Sequence, residues 1–286
     1  MSSDDQEHAR QLIDRDTIMP WVEVAQGARL NADVLPRLMP PSVGSLLRPV
    51  PDNPFSNMAW WCYSLLEAAA DHLVLWADYV APLKVHPQAE TVHTLRPIFT
   101  LARATIESAA QAIWVLSPED QLDRVRRYVR LAVWDLDEQT KAAATNEARA
   151  ELEARRSQIL TALGVTRRTF QAPRYLDMIL AAADFLDGDD ASSPWTSDRV
   201  RRIWRSTAGA AHGKRWTDFE FHDREPAGDE LVYATPKADA ISEVLKLADR
   251  YLSAGVIIFA MRAGHWEQFR QLWDDATERL MLRMST

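Results

Sequence analysis

From Ser56 onward, apolar positions recur at the helical period. Leu65, Leu66, Ala69, Leu73, Trp76 and Val80 mark one face of a helix that Ser56 can cap and Pro82 ends. The stretch from Leu95 to Leu116 is apolar nearly all round, as a helix at the centre of a bundle is, and its polar exceptions, Thr100, Arg103, Glu107 and Gln111, fall on one stripe. Ser117-Pro118-Glu119-Asp120 reads as the next start, with Ser117 as cap and Pro118 in the first turn. Leu122, Val125, Val129, Val133 and Leu136 carry that helix onward. Residues 137–156 turn polar and alanine-rich, so the same helix is expected to project until Gly164 ends it.

Further helices are expected over residues 175–186, from a cap at Ser197 or Asp198 to Gly213, over 239–262, and over 265–283 beyond Gly264. Phe219-Glu220-Phe221 and Leu231-Val232-Tyr233, separated by Pro226-Ala227-Gly228-Asp229, are expected to pair as a small hairpin. Residues 1–54 show little period beyond a short helix at 6–14. Pro20, Pro36, Pro40, Pro41, Pro49, Pro51 and Pro54 punctuate them. The expected fold class is therefore all-α: a multi-helix bundle over 55–286, a proline-rich N-terminal arm (1–54) packed on it, and one small β-hairpin.

Composition narrows the function classes. The formal net charge of -8 over 286 residues argues against a protein that coats itself with nucleic acid or anionic lipid, and leaves room for a local basic site. Cys62 is the single cysteine, which excludes an intrachain disulfide and a multi-cysteine metal centre. The acidic N-terminus does not resemble a signal peptide, and the longest apolar run, 256–261, is too short to span a bilayer, so a cytoplasmic protein without membrane attachment is expected. Eleven tryptophans admit two readings, filling of core and interfaces or the lining of a ligand pocket. No cofactor or metal is expected. Glu67, Asp71, His72 and Glu107 lack the Glu-x-x-His pairs of a bundle metal site.

The stretch carrying most chemistry is Arg205-Ser206-Thr207-Ala208-Gly209-Ala210-Ala211-His212-Gly213. Arg205 and His212 lie almost two helical turns apart, about 10 Å along the axis, and leave from the same face with Ala208 and Gly209 as a bare floor between them. Histidine at the negative end of a helix suits general acid–base chemistry, and arginine offers a fork for phosphate or carboxylate. Ser206 and Lys214 lie beside them. Arg103 and Glu107, four residues apart on the central helix, are expected to face this pair. Glu107 would orient the imidazole or accept Arg205, and Arg103 would add a second cation. Among Arg124, Arg126, Arg127 and Arg130, Arg127 is the expected flank of the site for a polyanion; the plainer reading is a solvated helix face.

The spacing of Arg205 and His212 resembles the HEPN families, helical proteins in which an arginine followed by a histidine carries endoribonuclease activity at a homodimer interface. Six residues separate the two here, the upper end of that pattern, and Ser206 is a weak version of the polar residue that usually follows the arginine. The chain is longer than a minimal HEPN domain. A broader likeness, over roughly residues 60–215, is to uncharacterised bacterial helical proteins, many actinobacterial, that pair an Arg-x-x-x-Glu helix with a later Ser-to-His-Gly helix. The first resemblance implies a metal-independent endoribonuclease of bacterial defence or toxin systems. In it His212, Arg205 and Glu107 are catalytic and Arg103, Ser206, Lys214 and Arg127 bind RNA in a homodimer. Two other readings stand beside it. One is a non-catalytic dimerising or ligand-sensing protein in which Arg205/His212 and Arg103/Glu107 form a structural polar cluster. The other is an enzyme on a small carboxylated or aromatic substrate held between helices.

Overall fold

A computed structural model describes residues 15–45, 47–48, 57–83, 95–188, 192–226 and 232–285, with side-chain surroundings from Ile18 onward and not at Val232 or Tyr233. Ten α-helices and one two-stranded hairpin stand among the described residues. The helices are α1 (Arg15–Val34), α2 (Met58–Val80), α3 (Leu95–Leu116), α4 (Gln121–Ala142), α5 (Asn146–Ala162), α6 (Tyr175–Asp187), α7 (Ser197–Ala211), the single turn α8 (Asp218–Phe221), α9 (Ala238–Arg262) and α10 (Trp266–Ser285). Strands β1 (His222–Pro226) and β2 (Val232–Pro236) pair antiparallel, His222 opposite Pro236. The molecule is an all-α multi-helix bundle with one small hairpin.

Helix α3 is the centre. It packs against α2, α9, α7, α6 and α4, and buries Ile98, Phe99, Ala102, Ile106, Ala109, Ile113 and Val115 on different faces. Its polar stripe survives as expected: Thr100 is exposed, and Arg103, Glu107 and Gln111 are half-buried. Because every other face is committed to helix packing, this stripe is where the central helix can present chemistry.

Four expectations need correction. The segment read as an irregular arm holds α1, a 20-residue helix that keeps Pro20 in its second turn. Proline there removes one backbone donor, and what offsets the loss is burial of Trp21, Val24, Ala25 and Ala28 against α2 and α9. The Trp21 indole donates to Ser242 Oγ at 2.7 Å, and Arg29 reaches Asp78 Oδ1 at 2.8 Å, tying α1 to α9 and α2. The short helix expected at 6–14, and the Ser56 cap, lie outside the described residues.

The helix start placed at Ser117 comes three residues later, where the Asp120 side chain accepts from Asp123 N at 2.9 Å. The expected long projecting helix is two, broken at Ala143–Thr145, with Thr145 Oγ1 capping α5 through Ala148 N. Its polar composition fits that break: α5 leans chiefly on α4 and, among its described residues, buries only Leu160. The hairpin is shifted by one element: Phe219–Phe221 belongs to α8, and Phe221 turns inward to stack on Phe99 with ring centroids 3.8 Å apart.

Candidate functional site

Helix α7 begins where Thr196 Oγ1 accepts from Arg199 N, just ahead of the expected Ser197 or Asp198. It ends in a two-bond closure: Gly213 N–H donates to Ala210 O at 3.1 Å and Lys214 N–H to Gly209 O at 2.8 Å. That closure puts residue 213 at φ +67°, a conformation glycine takes without strain. His212 is left as the last residue of the helix end, exposed.

The imidazole meets the polar stripe of α3. Arg103 Nη1 lies 3.4 Å from His212 Nε2. A guanidinium only donates, so this contact requires an unprotonated Nε2 on His212. Arg103 is held by Glu107, whose Oε1 accepts from Arg103 Nε at 2.8 Å and from the Trp204 indole N–H, also at 2.8 Å. The guanidinium carbon sits 5.5 Å from the Trp204 ring centroid. Arg103 and Glu107 side chains are 21% and 17% exposed, shielded enough for the pair to hold its geometry and open enough to meet a ligand. Tyr175 closes one side, edge-on to Trp134, with its hydroxyl pushed above the usual phenol range by burial and then by the Glu107 charge.

Thus two sequence motifs more than ninety residues apart converge, with the partners differently assigned. Glu107 braces Arg103 and Trp204, and contacts neither His212 nor Arg205. Arg205 is exposed and makes no hydrogen bond or ion pair among the described residues. Lys214 is also exposed, its backbone spent on closing α7. Ser206 is corrected: it is 2% exposed with no hydrogen-bond partner for Oγ, so it belongs to the packed side of α7.

The glycine floor is also corrected. A Cβ on Gly209 would meet Thr217 Cγ2 at 2.5 Å and the Trp216 ring at 3.0 Å, so the chain after His212 folds back over it. Glycine is there to admit Thr217 and Trp216, and no phosphate rests on it. What stays open lies on the α3 side of His212.

Arg127 does not belong to the site. Its Nη1 donates to Trp114 O at 2.7 Å and Ser117 Oγ at 3.1 Å, closing the C-terminal end of α3, about 16 Å along the helix from Arg103. Sequence reasoning passed over Trp204 and Tyr175 as site residues. Trp204 carried a signal, since it stands one turn before Ala208 on the flank shared with His212; Tyr175 carried none, because only the packing of α6 brings it near.

Among the described residues no group of three His, Cys, Asp or Glu side chains could hold a metal ion, and no helix is long and apolar enough to cross a membrane. No family model matches the chain, and neither the curated proteins nor the solved structures contain a match to it.

Proposed function

We propose that the face formed by His212, Arg103 and Arg205 cleaves RNA without a metal ion, in the manner of the HEPN endoribonucleases it resembles, within a bacterial defence or toxin role. The observation that carries this reading is the meeting of Arg103 and His212, at 3.4 Å, on a half-open surface. Arg103 turns from His212 to the phosphate, and the lone pair this frees on His212 Nε2 accepts the proton of a ribose 2′ hydroxyl as its oxygen attacks the adjacent phosphorus. The bond from phosphorus to the 5′ oxygen breaks, and that oxygen takes up a proton, leaving a 2′,3′-cyclic phosphate and a free 5′ hydroxyl. Arg205, exposed and without an ion pair among the described residues, and Arg103, fixed by Glu107, offset the charge that grows on the phosphoryl oxygens. With Gly209 covered, the phosphate is held between arginine forks at the surface.

The test is incubation of purified protein with single-stranded RNA in EDTA. Cleavage that falls by roughly 100-fold or more in His212→Ala, and also falls in Arg205→Ala and Glu107→Gln, supports the reading. RNA left intact by the wild-type protein overturns it. A specific observation favours a second reading, the non-catalytic one: Trp216 and Thr217 cover the floor between Arg205 and His212. On that reading His212→Ala costs melting temperature and no activity exists to lose.

A further inference from the structure

Two clefts stand out away from that face, and their charges differ. The wider, about 730 Å³, lies between α7, α9 and the hairpin. All of its charged groups but Asp239 are matched to one another: Arg199 to Glu243, Arg202 to Glu220 at 3.7 Å, Lys237 to Asp223 at 3.6 Å. A ligand there would have to displace pairs already made. The second, about 410 Å³, opens between the first turns of α2, the middle of α4, and α5. Its volume falls in the range of small-molecule sites.

Three aromatic rings wall this cleft: Trp60, Trp61 and Tyr128. Trp61 and Tyr128 stand edge to face, ring centroids 5.7 Å apart, and Trp60 is 55% exposed although it is a large apolar side chain. Asp135 is engaged, accepting from Gln139 Nε2 at 2.6 Å. Arg155 makes no ion pair or hydrogen bond among the described residues, yet its charge acts on the Tyr128 hydroxyl, which burial pushes up. The buried Trp61 indole N–H likewise has no acceptor. The lining therefore offers ring faces and one unmatched cation.

We propose that this cleft binds a small planar aromatic carboxylate. The ring stacks against Trp60 and the edge formed by Trp61 and Tyr128, and the carboxylate pairs with Arg155 as a charge-assisted fork. Arg155 selects an anion because its guanidinium has no counter-ion among the described residues, while Asp135, which lines the same cleft, keeps its charge beside the neutral Gln139 amide.

Isothermal titration of the full chain with indole-3-acetate and 4-hydroxybenzoate, each beside its neutral amide, tests the proposal. Saturable binding of the acids is expected, with Kd of about 0.1–1 mM for ligands of this size. The amides, and Arg155→Gln, should bind roughly tenfold more weakly. Trp60→Ala should abolish binding while Trp60→Phe retains most of it. Both positions are solvent-exposed, and circular dichroism checks that the variants fold. Acid and amide binding alike, indifference to Arg155→Gln, or no saturable heat from either acid overturns the proposal.

Discussion

Helix α3 meets arginine in opposite ways at its C-terminal end and in its middle. At its C-terminal end Arg124 is fully buried and donates through Nη1 to Pro118 O at 2.6 Å and Glu119 O at 2.8 Å. Arg127 takes Trp114 O, and Arg262 of α9 takes Leu116 O at 3.2 Å while forking onto the Glu119 carboxylate, which it holds below the usual carboxylate range. Arg127 and Arg262 thus satisfy orphan carbonyls at the end of α3, where the dipole favours cations, and Arg124 ties down the turn that follows it. Burial, and the neighbouring Arg262, make the charged form of Arg124 less favourable than in water. In mid-helix, by contrast, Arg103 is held at its base and leaves Nη1 toward His212, while Arg205 has no hydrogen-bond or ion-pair partner among the described residues. Arg124 turns Nη1 to backbone and keeps Nε and Nη2 buried without a partner, out of reach of any ligand, whereas Arg103 and Arg205 hold their guanidinium groups at the surface. Counting arginines in the sequence does not separate the two.

The largest test of this contrast is Arg124→Ala. It should destabilise the protein by about 3 kcal/mol, read as a lower denaturant midpoint, because carbonyls of the chain leaving α3 lose their donor and a buried volume empties. A loss no larger than that of a surface residue would dissolve the distinction. Next comes Gly209→Ala. Helix propensity favours alanine by about 1 kcal/mol, whereas overpacking against Thr217 and Trp216 costs about 1–3 kcal/mol. Thr217 is itself buried and has little room to move, so a net loss of about 1 kcal/mol is expected. A gain in stability instead would mean that the cover over Gly209 yields easily and that the floor can open. The smallest effect belongs to Arg205→Ala, within about 0.5 kcal/mol of wild type in the same assay, since nothing in the fold depends on its side chain. Its consequence should appear in RNA cleavage alone.

Much of the architecture was legible in the chain because burial imposes a period. The limits of α3 agree with the apolar run to the residue, and its polar stripe was readable as four residues on one face. The convergence of Arg103 and Glu107 with His212 was also expected, although which atom meets which was not: Glu107 turned out to hold Arg103 and Trp204. Helix α1 was missed because Pro20 and the prolines after Val34 suggested irregularity, and only the docking of Trp21 and its neighbours on α2 and α9 outweighs that local preference. Ser206 and Arg127 were misplaced for a related reason. A residue's place on a helix is set by the sequence, but the side that becomes interior depends on what the rest of the chain brings to it.

The sequence by itself determined the class of fold, the central position of α3 and the helical register of Arg205 and His212, since spacing along one helix is local geometry. The tertiary structure alone decided that Trp216 and Thr217 close the glycine floor, that the Arg124 and Arg127 guanidinium groups turn inward to carbonyls, and that Trp60, Tyr128 and Arg155 share a cleft. Those outcomes depend on contacts between residues far apart in the chain. Which of two exposed-looking faces is covered is settled by the packing of the whole molecule, not by any one segment.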